Sequence, residues 1–187
     1  MIKEFQGENR WLSNFFPAPQ RDGTAFTGHP YSIYPQLAEG GTFVYPDNEH
    51  YFQAFKADNL LQHVAIMLAP SPAIAKKMAG PKGFIMPDGT LFKVSIRKDW
   101  PIVRVPVMKR GLILKYTQNY DLAVKLVTTF PQILEEGNRW HDEFWGVNLD
   151  TGKGENMLGR LSMGIRNLLM RDIFSISMKD DSITRPC

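Results

Sequence analysis

Cysteine is almost missing from this chain: the only one, Cys187, is the last of 187 residues. That rules out a disulfide within the chain and a cysteine-rich metal site, and it suits a reducing compartment. No charge-free run reaches the roughly 18 apolar residues of a membrane span. The opening Met1-Ile2-Lys3-Glu4-Phe5-Gln6 has no apolar core of the signal-peptide kind. The expectation is a cytoplasmic protein that does not enter a membrane. Lys/Arg runs are also absent, which argues against a protein that holds nucleic acid by dense counterion release. The net charge of +3 permits a phosphorylated ligand or nucleic acid but demands neither. There is no Walker A loop, no Gly-x-Gly-x-x-Gly opening a helix, no His-Glu-x-x-His and no serine-hydrolase elbow. Gly152-Lys153-Gly154 is too short for a phosphate loop and reads as a turn. The four histidines, His29, His50, His63 and His141, share no ligand-like spacing, so a structural metal is not expected. Internal repeats and low-complexity tracts are missing too.

What is present is an ordinary globular composition, 43% hydrophobic and 22% charged. The length fits one domain, placed at residues 1–171, followed by a polar tail at 172–187. Residues 1–17, rich in aromatics and closed by Pro17, predict a short strand and then a bend. There Asn14 either caps a turn or offers its amide to a ligand. Residues 18–41 read as loop, with Tyr31-Ser32-Ile33-Tyr34 as an edge strand and Gly40-Gly41 closing the segment. Thr42-Phe43-Val44-Tyr45 reads as a strand ending at Pro46.

The pattern then predicts a helix over 47–57, capped by Asp47 or Asn48 and carrying Glu49 in its first turn. At about 100° per residue, Glu49, Phe52, Gln53 and Lys56 share one side, with Tyr51, Ala54 and Phe55 opposite as the buried side. A carboxylate, an amide and an amine stacked over two turns form either a solvated polar face or a reaction surface. The helix continues or kinks through Asp58-Asn59 into residues 60–67. Ser71-Pro72 through Gly80 is punctuated as a helix. Residues 84–94 read as a hairpin turning at Pro87-Asp88-Gly89. Asp99-Trp100-Pro101 looks like a helix start, but Pro106 predicts that the longer helix begins there and runs to 119. Residues 121–129 read as helix, 132–136 as a short strand closed by Gly137, 140–155 as loop and 156–170 as an amphipathic helix. Within that loop, Trp145 either packs over the last helix or stacks a flat ring beside a carboxylate.

These pieces, taken in order, resemble the NADAR family, also called YbiA-like. The matching stretches are Trp11-Leu12-Ser13-Asn14-Phe15-Phe16-Pro17, Asn48-Glu49-His50-Tyr51-Phe52-Gln53-Ala54-Phe55-Lys56-Ala57, and Ser71-Pro72 with Ala75-Lys76. They continue with Asp99-Trp100, Val107-Met108, Lys115-Tyr116-Thr117-Gln118-Asn119, Asp142 with Trp145-Gly146, and residues 154–166. Each is short; eight in the right order make the likeness specific. The chain departs from the family pattern at Pro81, which stands before Lys82 where a basic residue usually follows Gly80. It departs again at Val147-Asn148, where a further glycine is usual, and in a long 18–45 segment.

The resemblance implies a single α+β domain, mostly helical with small β elements, that hydrolyses the bond between ribose C1 and a nitrogen without cofactor or metal. Family substrates are of two kinds: ADP-ribose on guanine in nucleic acid, and ribosylated early intermediates of riboflavin synthesis. ADP-ribosylated guanine in DNA is the expected substrate, with the riboflavin intermediate as alternative. A third alternative is a module that binds NAD or ADP-ribose without turnover. By the resemblance, Lys56 is the nucleophile that forms a Schiff base, Glu49 the proton shuttle and Asp142 the second carboxylate. Trp100 and Trp145 would sandwich the base or ribose. Asn14, Phe15, Gln53, Gly146, Asn156 and Gly159 would complete the ligand-binding set.

Overall fold

The computed structural model describes residues 1–22 and 43–183, with 172–183 as backbone only. The expected strand at Tyr31-Ser32-Ile33-Tyr34 and the Gly40-Gly41 turn lie outside the described residues, as do His29 and Cys187. The fold is α+β: six α-helices, one 3-10 helix and three two-stranded sheets among the described residues. The chain groups into two compact units, Ser13–Asn119 and Met1–Leu12 with Tyr120–Cys187.

In the unit Ser13–Asn119, strand β1 (Gln20–Asp22) pairs antiparallel with β2 (Phe43–Tyr45), Gln20 opposite Tyr45. β2 delivers the chain to helix α1 (Asn48–Ala54). Asp47 caps it, its Oδ1 accepting from the His50 backbone N–H at 2.9 Å, which satisfies a donor that has no partner inside the helix. The chain does not kink into the next helix. Asn59 opens a separate one, α2 (Leu60–Met67), by accepting from the Gln62 N–H. Helix α3 (Pro72–Met78) has Ser71 as cap and proline in its first turn, as the punctuation predicts. Strands β3 (Phe84–Ile85) and β4 (Leu91–Phe92) form the expected hairpin, with Gly89 at φ 84°.

Helix α4 (Trp100–Thr117) continues through Pro106, contrary to the expected restart there. Proline removes the N–H that would bond the Ile102 carbonyl. Ile102 is exposed, so water can take that carbonyl. Gln118, just past α4, ties the helix to β1: its amide accepts from the Arg21 N–H at 2.6 Å and donates to the Arg21 carbonyl at 2.8 Å.

Helices α2, α3 and α4 all pack on α1, and each of its seven residues is buried. The sequence placed Tyr51, Ala54 and Phe55 inside and left the opposite face as either solvated or a reaction surface. The structure buries that face as well, which removes the solvated alternative. Gly111 of α4 makes the closest approach. A Cβ there would stand 2.1 Å from Asn48 Oδ1 and 2.7 Å from a Tyr51 ring carbon. The apolar core around α1 includes Tyr45, Tyr51, Phe55, Ile66, Met78 and Leu114.

The other unit opens with the 3-10 helix Gly7–Leu12, where the aromatics of the first 17 residues predict a strand. Helix α5 (Tyr120–Thr128) packs on α6 (Met157–Ile183). The latter runs well past the expected end at 170. Strands β5 (Gly137–Asn138) and β6 (Val147–Asn148) pair in parallel; the second falls inside the expected loop. The strand expected over 132–136 reduces to one bridge, Leu134 to Ile2. A side chain occupies the place of a further strand there: Asn156 Oδ1 accepts from the Glu136 N–H at 3.0 Å while its Nδ2 donates to the Leu134 carbonyl at 2.8 Å.

Candidate active site

Three of the candidate residues come together on α1 and the turn that follows it. Glu49 is 5% exposed and Gln53 3%. The Gln53 Nε2 donates to Glu49 Oε1 at 2.7 Å, one helical turn apart. Lys56 lies in the turn just beyond the helix. That turn is held by the chain entering α4. The Arg97 N–H donates to the Lys56 carbonyl at 2.9 Å, the Asp58 N–H to the Ser95 carbonyl at 2.9 Å, and Ala57 bridges Ile96. The same segment leads into Trp100, whose ring lies 5.0 Å from that of Phe52. The Lys56 ammonium sits against both rings, 5.8 Å from the Phe52 centroid and 5.9 Å from that of Trp100.

Burial raises the Glu49 carboxyl above its ordinary range, against the pull of the Gln53 bond, Lys76 and Lys56. Burial also lowers the Lys56 ammonium; Glu49 opposes that shift and Lys76 adds to it. Low dielectric disfavours charge on both groups. The pair is therefore pushed toward a free amine and a carboxylic acid, the forms a nucleophile and a general acid need. Lys76, exposed on α3, stands with its ammonium 5.8 Å from the Phe15 ring. The sequence reading gave Lys76 no role, though the motif around it was visible.

Asn14 lies beneath the start of α1. Its carbonyl accepts from the Glu49 N–H at 3.1 Å. Its side-chain amide is engaged by Asn48 Nδ2 at 2.8 Å and by Met108 sulfur at 3.5 Å, and Gln20 donates to Asn48 at 3.2 Å. Asn14 thus orients the Glu49 end of α1, with its amide committed to protein partners. Beside this network is a charged cluster that sequence reasoning missed. His50 Nδ1 faces Asp47 Oδ2 at 2.8 Å and its Nε2 faces the Ala69 carbonyl at 3.0 Å. Both ring nitrogens meet acceptors, which favours the imidazolium. Burial pulls His50 down, but the Asp47 bond and charge outweigh it and the net shift is upward.

Lys115 is wholly buried, its Nζ donating to the Ser13 carbonyl at 2.8 Å. Burial brings its ammonium down to about 7, against the attraction of Asp47. One signal for it was available: Met108, Leu112 and Lys115 fall at i, i+4, i+7, the spacing of a buried stripe.

The remaining candidates belong to the other unit. Asp142 Oδ1 accepts from the Phe144 N–H at 3.2 Å and the Trp145 N–H at 2.9 Å, closing the turn that carries the indole. The Trp145 ring meets Phe144 edge-on at 4.9 Å and is half-buried. Gly146 and Gly159 are sites of close backbone approach, where a Cβ would fall 2.1 Å from the Glu136 carbonyl oxygen and 2.2 Å from that of Leu134. Asn156, at φ 50°, spends its amide on the Leu134 and Glu136 backbone. Among the described residues no three His, Cys, Asp or Glu side chains group as a metal site. No helix there is long and apolar enough to cross a membrane.

An acid on one short buried helix and an amine in the turn that follows it, flanked by aromatic rings, are what this fold builds around. The chain belongs to the NADAR domain family, which matches residues 2–170. It is 33% identical over 139 residues to the N-glycosidase YbiA of Shigella sonnei, covering 74% of this chain and 78% of that one. The Escherichia coli K12 protein of the same name is 32% identical over the same share of both chains. The chloroplastic riboflavin biosynthesis protein PYRR of Zea mays is 31% identical over 149 residues, 75% of this chain but only 22% of that protein. The NMR structure of E. coli YbiA superposes with a TM-score of 0.66 at 26% identity, over 93% of this chain and 89% of that one.

Proposed function

We propose that this protein is an N-glycosidase that cleaves a ribose C1–N bond through an imine on Lys56. The observation that carries it is the Lys56 amine, held against the Phe52 and Trp100 rings and lowered by burial, next to a raised Glu49 carboxyl. Relatives named N-glycosidase support the reaction class. Glu49, as the acid, protonates the ring oxygen as the C1–O bond breaks, and the free Lys56 amine adds to C1. The C1–N bond to the base then breaks, the base leaves with a proton, and Lys56 holds the sugar as an imine. Water, deprotonated by Glu49, hydrolyses that imine to the aldehyde sugar and restores the amine. One water is consumed and nothing is oxidised or reduced.

The substrate we propose is ADP-ribose on a guanine base of DNA, a ligand whose diphosphate suits the exposed Lys76 beside the site. The second reading, a ribosylated intermediate of riboflavin synthesis, is favoured by the name of the maize relative. Incubation with each substrate, followed by mass spectrometry of the products, separates the two. Borohydride added during turnover should fix a ribose-containing adduct on the peptide bearing Lys56. Lys56→Arg keeps the charge but cannot form the imine, so it should show neither adduct nor turnover; an active Lys56→Arg enzyme would overturn the covalent route.

A further inference from the structure

Gln53 has two halves, and only one is used. Its NH2 donates to Glu49. Its carbonyl oxygen Oε1 is buried with no hydrogen-bond partner, in a side chain 97% removed from solvent. The Gln53 NH2 donates to Glu49 Oε1, an oxygen that accepts whether or not the acid holds its proton, and this turns the amide oxygen away. A buried amide oxygen without a donor is unfavourable and rare, and here it belongs to a residue one turn after Glu49 on α1 and directly before the turn that carries Lys56. It lacks a donor and cannot be met by a phosphate, which only accepts.

We infer that Gln53 Oε1 accepts a hydrogen bond from the ribose C2 hydroxyl, making Gln53 the residue that selects ribosides over 2-deoxyribosides. The inference rests on the ribose C1–N reading above and narrows its substrate class. Lys56 must reach C1, and its backbone N–H donates to the Gln53 carbonyl at 3.1 Å, so the two residues stand one turn apart. The hydroxyl on the neighbouring carbon is the donor nearest the reacting atom. A 2-deoxy sugar would leave the buried oxygen unpaired, a defect that a polar site rejects by about 10- to 100-fold. The consequence is chemical selectivity at a DNA lesion. An attached ribose is removed, and the deoxyribose–base bonds of the DNA itself are ignored.

The test needs no turnover. In the Lys56→Arg protein, ribose 5-phosphate should bind at least about 10-fold more tightly than 2-deoxyribose 5-phosphate by calorimetry. Adding Gln53→Met, close in volume but without the oxygen, should bring the two affinities within about 2-fold of each other. Gln53→Leu repeats the comparison if the methionine variant does not fold. An equal affinity in the starting protein, an unchanged ratio in the Gln53 variants, or no binding of either sugar would each overturn the inference. Failure of the glycosidase reading gives a different result, intact ribosides after incubation with the wild-type enzyme.

Discussion

Replacing Glu49 by glutamine should make the protein more stable and nearly inactive. The substitution exchanges one oxygen for NH2 in a side chain 5% exposed, so shape is kept and the ionisable group is lost. Burial raises the carboxyl in the folded state. In the unfolded chain it titrates near its ordinary value, about 4.3. Below that value both states hold the proton and the wild type has its full stability. As pH rises through the folded-state value, the unfolded chain ionises freely and the folded one resists. Stability therefore falls, by about 1.4 kcal/mol for each unit by which burial lifts the group. The neutral amide of the Glu49→Gln variant carries no such penalty. Near pH 4 the variant should be equal to the wild type or slightly weaker, because its bond with Gln53 is less polar. Near pH 7.5 it should be the more stable of the two, with a melting temperature higher by roughly 2–4 °C for each kcal/mol gained in a chain of this size. Urea unfolding at the two pH values measures the difference. Turnover should drop at least about 100-fold, roughly 2.7 kcal/mol of barrier, as for a lost general acid–base group. Stability gained while activity is lost marks a buried charge kept for function. A stability difference that does not change with pH would refute the burial argument, and near-normal turnover would remove Glu49 from the mechanism.

The buried Lys115 gives the opposite slope. With its folded ammonium brought down to about 7 and an unfolded value of about 10.4, the unfolded chain binds the extra proton between them. Wild-type stability should therefore rise by roughly 1.4 kcal/mol per pH unit across that window relative to Lys115→Met; parallel curves for the two proteins would contradict this. Gly111→Ala should destabilise by about 2–3 kcal/mol, because the new methyl would meet Asn48 and Tyr51 at 2.1 and 2.7 Å, and a melting temperature within a degree of wild type would show that α1 and α4 can separate freely. Asp142→Asn keeps an oxygen for the Phe144 and Trp145 N–H groups, so it should fold normally; loss of activity would then assign the carboxylate charge a chemical role, and full activity would leave Asp142 as the clasp of the Trp145 turn.

Much of the backbone was legible because its signals are local. Asp47, Ser71-Pro72 and Pro87-Asp88-Gly89 act within three or four residues, and each sits in the structure as its pattern predicts. The spacing of Glu49 and Gln53 follows from the helical period alone, whereas the helix stops short of Lys56, which the turn bond to the Gln53 carbonyl places. Strand assignments failed at 1–17 and 132–136, where a 3-10 turn and the Asn156 amide provide the bonds. Pro106 misled because its penalty depends on whether water reaches the Ile102 carbonyl, and no neighbouring residue states that.

The sequence by itself determined the family likeness, the helix carrying the acid, and the order in which the acid and the amine follow one another along the chain. The tertiary structure decided whether those groups are solvated. Three helices brought from 60–67, 72–78 and 100–117 close over α1, and the same packing buries Lys115 and leaves Gln53 Oε1 without a partner. Spacing is set by bonds within a turn, whereas desolvation is set by whichever distant segments pack on top. The lowered lysine and raised carboxyl of this site arise from the second cause.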